Sequence, residues 1–324
     1  MEPHRKIITT LIACVVFLGI TAGYKINQII KSNNVPKRVV PALHDDIPVP
    51  DSTFLQEHTV DAPMPIASPK LPSIPGVTAR AYLVGNIETG KVYISRNRQV
   101  IMPVASMSKL VTAFAATDML PASSTIEIIP QALLAPPDKS NLTAGERFTL
   151  HDILYPLLLD SSNVAAEAIS SSTGNRDSFL LLMRSYAWEV GMPHSYFADP
   201  SGVSPQNAAS AQDIFGLAKY LFNYRPDILA LTRSGTTTVA TTTDHGSHEF
   251  VSTHPFNGNP RFIGGKTGRT LEAGETMMTI LDIDDQPIAI IILGARYGSR
   301  ESDTRILLQK FWRWLTKSLA NMLQ

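Results

Sequence analysis

A chain of 324 residues with 44% hydrophobic and 17% charged residues has apolar material for one large core or two ordinary ones. Lysine and arginine number 28, as do aspartate and glutamate, so the net charge is zero; with no basic stripe interleaved with aromatics, nucleic-acid binding is excluded. The one cysteine, Cys14, rules out an intramolecular disulfide and a thiolate metal cluster.

From Ile7 to Tyr24 the chain runs IITTLIACVVFLGITAGY without a charge, directly after Arg5 and Lys6. As a helix this stretch would be roughly 27 Å long, close to the thickness of a bilayer core. A retained membrane anchor over residues 1–24 is the favoured reading. A cleaved signal peptide is weakened by the poor small-residue site at Thr21-Ala22-Gly23. A lipoprotein signal at Leu11-Ile12-Ala13-Cys14 is weakened by the apolar run that continues through Leu18. Basic residues flank the segment on both sides, Arg5 and Lys6 before it and Lys25, Lys31, Lys37 and Arg38 after it, so charge does not set the orientation.

Residues 25–76 read as a linker: nine prolines fall there, without a sustained apolar period. Such a segment reaches about 40 Å as a coil and at most roughly 160 Å when extended. A globular pattern begins at residue 77 and continues to 324. Ala81–Val84 and Val92–Ile94 are expected strands joined across Glu88-Thr89-Gly90. Thr276–Ile283 and Pro287–Ala295 form a second pair, and the unbroken apolar run Ile288–Leu293 predicts a strand covered on both faces. The middle is helix-rich. Ser302–Leu323 predicts a helix packed on the sheet through Leu308, Trp312, Leu315, Leu319 and Met322. Strands at both ends with helices between them predict one α+β domain whose terminal strands share a sheet.

Three short motifs carry chemistry. Ser106-Met107-Ser108-Lys109 opens an apolar helical stretch, and at i and i+3 its serine and lysine share a face. The positive end of the helix favours developing negative charge there. A lysine works as a base only if burial or another cation destabilises its ammonium. Ser161-Ser162-Asn163 lies between apolar helical runs, unlike the two other S-x-N matches, Ser95-Arg96-Asn97 and Ser32-Asn33-Asn34. Lys266-Thr267-Gly268 follows Gly264-Gly265; glycines permit close approach to a strand edge, and lysine with a hydroxyl suits a carboxylate. Each motif alone is weak: a helix start capped by serine, a polar triplet and a glycine-rich turn explain them as well.

In this order, 55 and then 105 residues apart, the three resemble the S-x-x-K, S-x-N and K-T-G set of penicillin-binding proteins and serine β-lactamases. YLVGNIETGK (82–91), VASMSKLVT (104–112), LTAGERFTL (142–150), FADPSGVS (197–204) and GGKTGRT (264–270) are similar to low-molecular-weight D-alanyl-D-alanine carboxypeptidases, over essentially Thr78–Trp314. The resemblance implies a β-lactamase/transpeptidase-like α+β fold, with an antiparallel sheet flanked by helices and a helical subdomain. It implies that Ser106 attacks the terminal D-Ala-D-Ala bond of a peptidoglycan stem peptide, with β-lactams as inhibitors and neither metal nor cofactor. Lys109 would accept the serine proton, its own charge disfavoured by positive Lys266, and Ser161 would relay a proton to the departing D-alanine. Asn163 would hold the substrate amide and Lys109, while Lys266 and Thr267 would bind the carboxylate. The N–H groups of Ser106 and Arg269 would form the oxyanion hole. Arg300 is matched to the family's carboxylate-assisting arginine, with Arg296 as competitor. A substrate of this kind puts the domain on the extracytoplasmic side of a membrane.

Two departures qualify the resemblance. Arg269 stands where relatives often have histidine, and the chain leaves no room for the β-rich C-terminal domain many of them carry. Attachment through the N-terminus is therefore expected. A β-lactamase of class A needs a glutamate-directed water, and no glutamate lies between Val190 and Ser210. A DD-endopeptidase uses the same residues and stays open, as does a sensor without turnover on the same fold. His245 and His248 could pair on a metal, although a solvated loop in the threonine-rich stretch Thr236–Thr243 is the preferred reading. No G-x-S-x-G elbow is present.

Overall fold

The computed structural model describes residues 74–322; the apolar segment 7–24, Cys14 and nearly all of the proline-rich stretch lie outside the described residues. Ile74 already packs against the core. The chain enters through β1 (Ala81–Asn86), β2 (Val92–Arg96) and the short β3 (Met102–Pro103), then the long helix α1 (Ser108–Met119). β4 (Thr125–Glu127) and β5 (Arg147–Thr149) precede α2 (Leu150–Tyr155), α3 (Asn163–Ser172) and α4 (Arg176–Glu189). β6 (Ala208–Ala209), α5 (Ala211–Tyr224), α6 (Pro226–Arg233), β7 (Thr236–Val239) and β8 (His248–Val251) follow. The chain closes with β9 (Phe262–Thr270), β10 (Gly274–Ile283), β11 (Gln286–Ala295) and α7 (Arg300–Met322). No described helix is long and apolar enough to cross a membrane.

Five strands form one antiparallel sheet in the order β2-β1-β11-β10-β9, so the first and last strands are paired, as the pattern predicts. The turn between β10 and β11 uses Asp284 and Asp285, both at positive φ (52° and 59°), the conformation that matches the twist of a tight hairpin. The run Ile288–Leu293 is buried on both faces. Ile288, Ile290 and Ile292 face Leu307 and Phe311 of α7, whereas Ala289, Ile291 and Leu293 face the helical layer. Period-two alternation assigns each side chain to one of two cores.

The last helix packs on the sheet as expected, with its most buried line shifted from the expected one; the side chains of Leu319 and Met322 lie outside the described residues. Its buried residues are Asp303, Thr304, Leu307 and Phe311, with Leu308 and Trp312 only partly buried. The pattern of large apolar residues points one position too far along the helix, because polar Asp303 belongs to the buried face. Its carboxylate accepts from Thr78 N and Ala79 N and from Thr78 Oγ1, at 2.8–3.0 Å, tying the start of the sheet to the start of α7. The threonine-rich stretch also differs from a solvated loop: Thr236–Val239 pairs with His248–Val251 as a hairpin. His245 is buried and stacked 4.2 Å from Phe148, and His248 meets Glu146 at 2.7 Å. Aromatic packing and a carboxylate account for both histidines, and no group of three metal-binding side chains exists among the described residues.

Candidate active site

Ser106 lies on a 3-10 turn, Ala105–Met107, that leads into α1. Met107, Leu110, Val111 and Phe114 bury this segment in the helical core. The regular helix therefore starts at Ser108 rather than at Ser106, and the Ser106 hydroxyl caps nothing. Ala105 has φ +50°, a left-handed conformation that costs an L-residue roughly 1–2 kcal/mol. Two glycines hold it there by close approach. A Cβ on Gly202 would meet the Ala105 carbonyl oxygen at 2.1 Å, and one on Gly268 would meet Ser106 N at 2.9 Å.

Lys109, one helical turn on, is fully buried. Its Nζ donates to Ser106 Oγ at 3.0 Å, to Asn163 Oδ1 at 2.8 Å and to the Ser201 carbonyl at 2.6 Å. Burial lowers its pKa from the ordinary 10.5 to about 7, against opposing pulls from Asp199, Asp138 and Glu167. Desolvation, rather than the neighbouring positive charge expected from Lys266, is thus the leading cause.

Ser161 sits at the end of a π-turn, Pro156–Asp160, in left-handed geometry (φ 65°, ψ 37°), and Asn163 is the first residue of α3. The triplet bridges two lysines: Asn163 holds Lys109, while Ser161 Oγ accepts from Lys266 Nζ at 2.8 Å. Lys266 is also buried, and its Nζ reaches the Thr267 carbonyl at 3.0 Å. Burial, then the charges of Lys109 and Arg300, push it well below the usual lysine range, with Asp160 opposing.

The K-T-G segment lies in β9, an edge strand of the sheet rather than a turn. Lys266 is paired with Met278 and faces the helical layer with it; Thr267 and Arg269, paired with Met277 and Glu275, face the side of α7. Gly265 N reaches outward to Thr232 Oγ1 at 3.0 Å, and backbone alternation turns the N–H groups of Thr267 and Arg269 to the same open edge. Thr267 Oγ1 is 2.9 Å from Thr253 Oγ1. Arg300 is half-buried at the start of α7, and its Nη1 donates to the Gly268 carbonyl at 3.2 Å. Burial lowers its pKa, Glu275 opposes, and the charge of Arg269 lowers it further. The competitor Arg296 is exposed, and its backbone N–H donates to Thr78 Oγ1. All eight candidate residues from Ser106 to Arg300 thus border one edge of the sheet.

Three carboxylates escaped the sequence reading. Asp138 accepts from Ser162 Oγ, Asn163 N and Val164 N at 2.6–3.1 Å and so fixes the triplet from behind. Asp199 folds its loop around one carboxylate, accepting from Ser201 N, Gly202 N and Ser204 N at 2.6–2.8 Å; this aims the Ser201 carbonyl at Lys109. Glu275 accepts from the backbone N–H groups of Ser299 and Arg300 at 3.0 and 3.1 Å. Asp199 lies in FADPSGVS, whose Asp-Pro-Ser-Gly is a turn signal that could have pointed to it; Asp138 and Glu275 carry no local signal.

Residues 68–297 match the family model described as D-alanyl-D-alanine carboxypeptidase. The D-alanyl-D-alanine endopeptidase of Pseudomonas aeruginosa is 29% identical over 243 residues, which is 72% of this chain and 76% of that protein. The D-alanyl-D-alanine carboxypeptidase DacB2 of Mycobacterium tuberculosis is 25% identical over 206 residues, 63% of this chain and 71% of that one. Among solved structures, penicillin-binding protein D2 of Listeria monocytogenes in its cefotaxime-bound form superposes with a TM-score of 0.64 at 26% identity, covering 74% of this chain and 98% of that one.

Proposed function

The chain belongs to the D-alanyl-D-alanine carboxypeptidase family, and from that premise we propose that it removes the terminal D-alanine of peptidoglycan stem peptides through an acyl-enzyme on Ser106. The observation that carries this reading is the contact of Ser106 Oγ with a buried lysine whose pKa stands near neutrality. Neutral Lys109 takes the hydroxyl proton as Ser106 Oγ bonds to the scissile carbonyl carbon. The resulting oxyanion is received by the N–H groups of Ser106 and Arg269, where one donor is worth about 3 kcal/mol. Collapse of the tetrahedral adduct breaks the carbon–nitrogen bond, and the departing amine takes, through Ser161, the proton that Lys109 had accepted, which leaves Lys109 neutral again. Water then attacks the ester carbonyl with Lys109 as base; its hydroxyl stays on the acyl product and its proton passes through Lys109 to Ser106 Oγ.

The substrate carboxylate would lie along the edge of β9, against Thr267, Lys266 and Arg300. An arriving anion favours the charged form of Lys266, which is otherwise held down by burial and like charge. β-Lactams would acylate the same serine. The apolar segment 7–24 would anchor the protein, and the proline-rich linker would carry its domain away from the membrane on the extracytoplasmic side; the composition of both segments supports this placement.

The test combines labelling by a fluorescent penicillin with D-alanine release from a D-Ala-D-Ala pentapeptide. Labelling and release are both expected. Labelling without turnover of pentapeptide or cross-linked dimer would identify a sensor instead, and mass spectrometry of the muropeptides separates carboxypeptidase from endopeptidase products.

A further inference from the structure

Beyond the residues placed around the scissile bond, the edge of β9 carries a cation without an ion-pair partner among the described residues. Arg269 follows K-T-G directly and lies on the same face of β9 as Thr267, about 7 Å further along the strand. It is exposed, and its guanidinium stacks 4.9 Å over the ring of Tyr297, itself 80% exposed. Among the described residues no carboxylate pairs with it. Glu275, its neighbour across the ladder, is buried and turns its carboxylate to the backbone of Ser299 and Arg300. Arg300, which donates to the Gly268 carbonyl, lies close enough to Arg269 for that charge to disfavour its own, with Glu275 opposing. A cation–π contact of this kind contributes about 1 kcal/mol and holds the guanidinium in place before anything binds.

Glu275 offsets the charge of Arg300, whereas the exposed guanidinium of Arg269 has no carboxylate partner among the described residues and can meet an incoming anion. One substrate carboxylate satisfies Arg300, Thr267 and Lys266 in the proposed function, and leaves Arg269 over. We propose that Arg269, held by Tyr297, is a specificity-determining residue that receives a second carboxylate on the leaving side of the scissile bond. The site then accepts, besides D-alanine, a departing residue that bears an acidic side chain. The proposal rests on the Ser106 acyl-enzyme reading and adds the chemical class of the leaving group to it.

The experiment compares kcat/KM of the purified full chain on acyl-D-Ala-D-Glu and acyl-D-Ala-D-Ala, and repeats the comparison with R269Q, R269K and Y297A. The D-Glu to D-Ala ratio is expected to fall about tenfold in R269Q, the scale of one lost charge-assisted contact. R269K should retain part of it, and Y297A should lower it to a smaller extent. Added salt should reduce the ratio for the unaltered chain, because the guanidinium is exposed. A ratio unmoved by R269Q overturns the proposal while leaving the acyl-enzyme reading intact, provided that the unaltered chain labels with penicillin and turns over both peptides. A chain that neither labels nor turns over either peptide removes the underlying reading, and the leaving-group assignment with it.

Discussion

Acylation of Ser106 should depend on pH through Lys109, and the dependence can be sized from the structure. Moving an amine from 10.5 to about 7 represents about 5 kcal/mol of preference for its neutral form. At pH 7 about half of the molecules then hold a neutral Lys109, against roughly one in three thousand for an ordinary lysine. Only the neutral amine can accept the serine proton, so the protonated state below pH 7 is the inactive one. The rate constant for labelling by a fluorescent penicillin should therefore rise about tenfold per pH unit below 7 and level off above it. Lys109→Arg keeps a cation in place but cannot lose its proton, and should slow labelling by about a thousandfold. Burial and the bonds to Ser106, Asn163 and Ser201 are all properties of the folded site, so circular dichroism must show the protein folded across the range. A labelling rate that is flat between about pH 5 and 9, or a midpoint near 10, would refute the assignment of Lys109 as base.

Ser106→Ala should abolish labelling and leave the melting temperature nearly unchanged, because the hydroxyl caps no helix. Gly202→Ala should cut labelling at least about a hundredfold, since its Cβ would drive into the Ala105 carbonyl and displace the Ser106 turn. Gly174→Ala, also at positive φ but with nothing nearby, should cost about 1 kcal/mol in denaturant unfolding and leave labelling alone. Asp138→Asn should slow labelling by loosening Asn163, and should also alter acid stability. Burial alone would raise the Asp138 pKa, but hydrogen bonds from Ser140, Val164 and Ser162 outweigh it and hold the group below 3.8. Its stabilisation is thus present above the unfolded carboxylate range and lost as pH falls through the lower folded value, so the acid limb of a Tm profile should flatten in the variant. Asp303→Ala, which strands the Thr78 and Ala79 donors, should destabilise by about 3 kcal/mol without changing the pH profile of labelling.

The sheet was legible because its strands announce themselves locally. Ile288–Leu293 has no polar residue with which to alternate, and a strand of that kind needs two cores, one of them supplied by α7. The three motifs of the candidate site were legible through order and spacing together with the family resemblance, since each alone has an ordinary structural explanation and S-x-N has decoys. Ser95-Arg96-Asn97, for instance, closes β2, and the side chain of Asn97 ties back to the Arg80 carbonyl. Groups whose work depends on long-range contact were not legible. Asp138 meets Asn163 across 25 positions of chain, and Glu275 meets Arg300 across the same separation. Helix α7 was misaligned for a related reason: a buried aspartate satisfied by Thr78 and Ala79, more than 220 residues away, is invisible to hydrophobic periodicity.

Those carboxylates also explain how a loop-built site keeps its geometry. Ser106, Ser161 and Ser201 all stand on turns, and a turn has little of its own packing to fix a side chain to within the few tenths of an ångström that proton transfer needs. Asp138 and Asp199 supply that fixity by collecting several backbone and hydroxyl donors each, one behind Asn163 and one behind the Ser201 carbonyl. Their negative charges work against a neutral Lys109, so the site could not afford them at the surface of a lysine already inclined to stay protonated. It tolerates them because desolvation of Lys109 is larger than their combined pull. Opening the pocket to water would therefore weaken the desolvation that keeps the lysine neutral. On this argument, the tight seating of Gly202 and Gly268 against the Ser106 turn sustains the basicity of the site as well as its shape.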